Sequence, residues 1–246
     1  MNLLSIITIV MTAHNELYLP WSVKRNCARN RQERGNLQNT QTKSGLERRD
    51  WIEAARGLLI SGGIQTVTLR RIAAQLGVTT GAYYTHFANL EELLEGLRAD
   101  WMARNSAPFH EDILKAGPDG FCMYLAYVRI IALEERFSPT YDAAFRAWAQ
   151  VSPESAAVLK EAERKRIEIL VSVFTALGFD PERAQTRANV AYFTQLGYNT
   201  LQLGETREDR LMRIPYYVEV ESGRKDLLKL TSPEEVLKTL IEGHVE

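Results

Sequence analysis

A chain of 246 residues, 45% hydrophobic and 25% charged, is long enough for one or two domains with a sizeable core and too apolar for a disordered polymer. Its net charge of −1 does not by itself point to nucleic acid. The distribution is more telling: residues 1–90 hold 11 Lys and Arg against 5 Asp and Glu, and the remainder 19 against 26, so a basic front faces an acidic rear, as suits a protein that presents one end to phosphates.

The first 44 residues read as an extension. Leu3 to Met11 is a short apolar run, far below the roughly 18–20 residues that span a bilayer, and it lacks the basic flank and cleavage site of a signal peptide. Residues 22–45 are polar and basic, with Lys24, Arg25, Arg29, Arg31 and Arg34, and read as disordered. Two alternatives stand: a basic arm that adds minor-groove or phosphate contacts, or, for residues 1–20, a mis-assigned start.

The first predicted helix places Trp51, Ala54, Ala55, Leu58 and Leu59 on one face and stops at Gly62-Gly63. Thr68 is placed to cap the next, in which Leu69, Ile72, Ala73 and Leu76 recur at helical spacing before Gly77. Val78 should plug the angle that follows. Thr79 or Thr80 should cap a third helix of about two turns, roughly 10–11 Å long. There Tyr83 and Phe87 share the inward face, and Thr80, Gly81, Tyr84 and Thr85 face outward. This is a helix-turn-helix pattern. Asn89, followed by Glu92, makes a near capping box that opens a fourth helix with Leu90, Leu93, Leu94, Leu97 and Trp101 on its apolar stripe.

The run GVTTGAYYTHFANLEELL resembles the TetR family of bacterial transcriptional regulators, with the likeness extending over about residues 47 to 101. The resemblance implies roles. Thr68 would touch a phosphate as well as cap its helix. Arg70 would reach a base edge or phosphate. Thr79, Thr80, Gly81 and Ala82 would face bases, Ala82 against a thymine methyl. Tyr84 and His86 would bond phosphates, positioning the helix without reading sequence, and Thr85 would do either. Leu90 departs from the family, whose members often carry Lys there, so one phosphate contact is missing. Tyr83 is bulkier than the usual aliphatic residue and should still pack inward.

From about residue 102 the chain reads as helical. Gly117-Pro118, Ser138-Pro139, Ser152-Pro153 and Asp180-Pro181 punctuate helices over residues 121–136, 140–150, 153–177 and 181–203. IPYYVEVES, near residue 214, is the first strand-like alternation of any length. The 153–177 and 181–203 helices carry Ile167, Leu170, Val171, Phe174, Tyr192, Phe193 and Leu196. This apolar surface suits a homodimer built as a four-helix bundle, the arrangement the resemblance implies. The resemblance also implies a small-molecule effector pocket among the middle helices, where Met123, Tyr124, Tyr127, Phe145 and Trp148 form an aromatic-rich set; ordinary core packing explains such residues equally well.

No P-loop, dinucleotide fingerprint or HExxH motif is present, and His14, His86, His110 and His244 are scattered. No catalytic residue, metal or cofactor is therefore expected. Cys27 and Cys122 lack metal-ligand spacing, need no disulfide and fit a reducing cytoplasm.

The expectation is an all-α protein. Residues 1–44 form an extension, 45–105 a helix-turn-helix DNA-binding domain and 106–246 a helical effector-binding and dimerisation domain. It would be a cytoplasmic repressor released from a palindromic operator in double-stranded DNA by a small molecule, with no membrane partner. The alternative is a helical enzyme or interaction protein that shares the motif's shape without regulatory DNA binding.

Overall fold

The computed structural model describes residues 45–201 and 203–244, which form ten α-helices and no strand. The expectations for residues 1–44 lie outside the described residues. From Leu46 onward the chain is one compact unit.

The head contains α1 (Arg48–Gly62), α2 (Leu69–Leu76) and α3 (Leu90–Trp101). In α1 the buried residues are Trp51, Ala54, Ala55 and Leu59, at intervals of three, one and four, which is one face of a helix. The Thr68 hydroxyl accepts the Arg71 N–H at 3.4 Å and so caps α2. Gly77 closes it in the left-handed region, φ 66°. The Gly77 N–H donates to the Ala74 carbonyl at 3.1 Å and the Val78 N–H to the Ala73 carbonyl at 2.9 Å, which satisfies two carbonyls that a helix end leaves open.

The next segment differs from the sequence expectation. Thr80–Thr85 is a 3-10 helix, and Thr79, in the cap position, makes no side-chain cap bond. The reason lies in packing. Tyr83 and Phe87 are both buried and stack at 5.2 Å, while Trp51 meets Tyr83 edge-on at 5.4 Å. The tighter helix holds both rings in the wedge between α1 and α3.

The helix after the head does not end where the sequence placed the domain boundary. From Trp101 the backbone passes through a π-helical turn, Met102–Ser106, into α4 (Ala107–Lys115). Residue 105 therefore lies inside one helical run. The body adds α5 (Gly120–Leu133), α6 (Pro139–Ala149), α7 (Pro153–Ala176), α8 (Pro181–Leu201), α9 (Arg207–Ser222) and α10 (Pro233–Glu242). Three of these begin with a Ser cap followed by Pro, at Ser138, Ser152 and Ser232; proline loses nothing at a position whose N–H has no helical partner. Gly120 lets α5 start against the end of α7, where a Cβ would lie 2.4 Å from the Leu177 nitrogen.

The strand-like IPYYVEVES segment is part of helix α9. Leu211, Ile214, Val218 and Glu221 are buried at helical spacing. A Thr206–Asp209 capping box starts the helix, and Gly223, at φ 78°, ends it. Alternation over a few residues is too short a signal to outweigh a capped frame and a body that offers only helical neighbours.

Two apolar cores form. One unites α4, α5, α7, α8, α9 and α10. The other fills the head and extends to Tyr141, Phe145 and Trp148 of α6 and to Leu159 and Ala162 of α7. Between them Arg166, 2% exposed, donates to the Asp142 carboxylate at 3.1 Å and to the Asn105 carbonyl at 2.8 Å. Its Nε and Nη1 have no hydrogen bond. They lie among rings instead, 4.9 Å from Phe109 and 5.4 Å from Trp101, where the π faces partly replace water. Asp142 also accepts from Arg146 at 2.7 Å. Asn105, in the π-turn, gives its amide to the Ser138 carbonyl at 2.9 Å. The joint between head and body is thus a buried ionic knot surrounded by aromatic packing.

Candidate nucleic-acid interface

Most of the residues singled out around the turn are exposed. Thr68, Arg70, Thr79, Thr80, Gly81, Tyr84 and Thr85 are exposed, while Ala82 and His86 are half-buried. Tyr84 is 63% exposed although its neighbour Tyr83 is 1% exposed. The Tyr84 ring rests edge-on against Tyr83 at 5.4 Å, and a tyrosine exposed on such a base can offer its hydroxyl to a partner outside the chain.

The base beneath this segment is well determined. The Tyr83 hydroxyl donates to the Asn89 carbonyl at 2.7 Å. Burial, with smaller contributions from Glu92 and Tyr84, pushes its phenol up to about 12, so it remains a neutral donor. The Asn89 side chain accepts the Glu92 N–H at 3.0 Å and caps α3. Glu92 reaches the Ala88 N–H at 2.7 Å rather than that of Asn89, so the expected capping box is displaced by one residue. The Arg48 guanidinium donates to Glu92 at 2.6 Å and to the His86 carbonyl at 2.9 Å, and it covers the Phe87 ring at 4.2 Å. Backbone and carboxylate hydrogen bonding, chiefly from Ala88 and Arg48, holds Glu92 below the usual carboxylate range. Thr85 donates its hydroxyl to the Ala82 carbonyl at 2.8 Å and keeps its lone pairs outward.

Electrostatics favour an anion. No Asp or Glu lies between Glu53 and Glu91 in the sequence. Arg70 and Arg71 are both exposed and form no ion pair among the described residues. Arginines of the body are engaged: Arg136 with Glu111 and Asp112, Arg146 with Asp142 and Glu163, Arg210 with Glu134. This acid-free interval is a signal that sequence reasoning overlooked. It is visible once the charge count is narrowed from 90 residues to the motif. Leu90, 40% exposed at the first turn of α3, supplies no cation there.

The aromatic set expected to line an effector pocket is divided by the structure. Met123, Tyr124 and Tyr127 lie in the core of the body. Phe145 stacks flat on Trp101 at 4.0 Å, and Trp148 meets Phe145 edge-on at 5.4 Å. Those two rings bind α6 to the end of α3 and belong to the core of the head rather than that of the body. Tyr124 borders a cavity between α5, α8 and α9.

The dimer candidates also separate. Leu170, Phe174 and Tyr192 are buried within the single chain, and Ile167, Val171 and Leu196 are half-buried against the same core. Phe193 is 60% exposed. The exposed apolar residues on α8 are Val190, Phe193 and Leu201, with Gly197 open on the same face, and α9 adds Tyr216 and Val220. The exposed large apolar side chains here are therefore those of α8 and α9, while Leu170 and Phe174 of α7 face the core of their own chain.

Cys122 is half-buried, and burial together with the Asp119 carboxylate pushes its thiol up, which disfavours the reactive thiolate. Among the described residues no cluster of His, Cys, Asp and Glu is placed to hold a metal ion, and no helix is long and apolar enough to cross a membrane.

Residues 52–97 match the family model described as bacterial regulatory proteins, tetR family. No curated protein matches the chain. Two solved structures are similar: BioQ with its double-stranded DNA operator, at 22% identity over 81% of this chain and 98% of that one, and Mycobacterium smegmatis BioQ, at 23% identity over 80% and 97%. Both superpose with a TM-score of 0.33, a loose likeness without residue-level correspondence.

Proposed function

We propose that this chain, whose residues 52–97 match the model of the bacterial regulatory proteins of the tetR family, is a sequence-specific repressor, released from a palindromic operator by a small molecule. The observation that carries the reading is the segment from Thr68 to Thr85, mostly exposed and free of carboxylates, on a base of buried aromatic rings. In helix-turn-helix docking such a segment enters the major groove with its N-terminal residues at base edges. Thr79, Thr80, Gly81 and Ala82 take that place here. Thr68, Tyr84 and His86 hold phosphates, Arg70 reaches a phosphate or a base edge, and Thr85 serves either.

Recognition of a palindrome needs two such segments about 34–36 Å apart, hence a homodimer. Val190, Phe193 and Leu201 on α8, with Tyr216 and Val220 on α9, are the apolar residues available for that contact. Release follows if an effector in the body moves α4, since α4 continues through the π-turn into α3 of the head. The Arg166–Asp142–Asn105 knot is the rigid link through which such a motion reaches the head.

The test is a gel shift of the full chain on DNA flanking its own gene, in a salt series. Specific retention that weakens steeply with salt is expected. Tyr84→Ala should lower retention on every sequence to a similar degree. Dimeric protein without affinity for any DNA would refute the reading.

A further inference from the structure

The cavity between α5, α8 and α9 is small, about 70 Å³. Its chemistry is unusual for a core. Glu221 brings a carboxylate that is 7% exposed, and Gln195 an amide that is 5% exposed. The Tyr124 hydroxyl donates to Glu221 Oε2 at 2.6 Å. Neither Oε1 nor Nε2 of Gln195 has a hydrogen-bond partner. Buried polar groups are normally satisfied, and an exception requires a reason.

Nearby cations do not neutralise Glu221. Arg210 borders the cavity but is held by the Glu134 carboxylate at 2.6 Å and by the Ile131 carbonyl at 2.6 Å. Arg187 donates to the backbone carbonyls of Val220 and Glu221, not to the carboxylate, and its guanidinium covers the Phe179 ring at 4.2 Å. Burial, opposed by the Tyr124 hydrogen bond, raises the Glu221 carboxyl above the usual carboxylate range. That is the behaviour of a buried acid lacking a counter-ion. Around it stand the rings of Tyr124, Tyr217 and Tyr198, the last already covered on one face by the Arg210 guanidinium at 4.9 Å. Tyr217, 37% exposed, meets Tyr198 edge-on at 6.5 Å.

We propose that this cavity is the effector site and that it takes an organic ammonium ion on an apolar body, with the nitrogen between Glu221 and Gln195. A carboxylate flanked by tyrosine rings matches a cation in charge and in ring quadrupole. The Gln195 carbonyl accepts a second N–H of the ammonium. An anion would meet Glu221 at close range, with Arg210 already neutralised by Glu134. The void holds only the head group, so the apolar body extends between α8 and α9 past Tyr217. The site lies on the helix pair that carries the exposed apolar side chains, so occupancy is placed to change the spacing of the two heads. The identification of the cavity as an effector site rests on the regulator reading; its cation chemistry does not.

The experiment compares n-hexylammonium, hexan-1-ol and hexanoate by calorimetric titration of the full chain. Hexylammonium should bind at least tenfold more tightly than the alcohol, with hexanoate weakest. Glu221→Gln, nearly isosteric, should abolish that preference, and Gln195→Leu should weaken the ammonium selectively. Alcohol or hexanoate binding as tightly as the ammonium would overturn the proposal, as would failure of all three to bind. The wild-type ranking decides the matter even if a variant does not fold. In a parallel gel shift, hexylammonium that binds without altering DNA retention would leave the cation site standing and remove its effector role.

Discussion

The head and the body use polar groups in opposite ways. In the head, apart from Arg98 at 9% exposure, the interior is nearly all ring and aliphatic packing around Trp51, Tyr83 and Phe87. In the body Arg166, Asp142, Gln195 and Glu221 are inside. The difference teaches where selectivity is held. A surface that reads a duplex needs free donors on a rigid base. A site that reads a small molecule needs buried groups whose desolvation makes an unmatched ligand costly.

Four substitutions would break or sharpen this contrast. The largest effect is expected for Asp142→Ala, which strands Arg166 as a buried charge. A loss of about 3–5 kcal/mol is expected, measured by denaturant unfolding, and a change near zero would show that the knot is solvated. Thr80→Ala should leave stability intact but shift preference at one base position by roughly 1–3 kcal/mol, read from binding to a set of single-base operator variants. A uniform loss across that set would remove the division between base and phosphate contacts. Gly77→Ala introduces a Cβ that meets no atom within 4 Å, so its cost is the left-handed backbone alone, about 1–2 kcal/mol; a melting curve checks it.

The smallest effect, and the most diagnostic sign, belongs to Glu221→Gln. A carboxyl whose pKa is raised on folding favours the folded state at low pH and loses that contribution as pH rises through its folded value. The variant should therefore melt above the wild type at pH 8, with the gap closing toward pH 4. A gap that widens on acidification would mean that the carboxylate is stabilised in place.

Legibility in the sequence followed the same division. Thr68, Gly77 and Asn89 were readable as caps because capping is local, decided by a few bonds within one turn. The inward turn of Tyr83 and Phe87 was readable from spacing. The 3-10 form of Thr80–Thr85 was not, since it goes with packing of Tyr83 against Trp51 of α1, distant in sequence. The division of Tyr124 from Phe145 and Trp148 was equally hidden: five aromatic residues on two helices look alike until their neighbours are known. Phe193 was singled out with Leu170 and Phe174, yet it is exposed where they are buried, because periodicity places a residue on an apolar face without saying which body covers it.

By itself the sequence determined an all-helical chain, a helix-turn-helix with its caps and its outward residues, and a basic front. These depend on interactions within a few residues of chain or on composition. Only the tertiary structure decided that α3 runs unbroken through Met102–Ser106 into the body, that Arg166 and Asp142 meet across 24 positions, and that Glu221 and Gln195 border one cavity. Those relations come from helices far apart in sequence burying faces against one another, and the local pattern of each helix is the same whichever partner it finds.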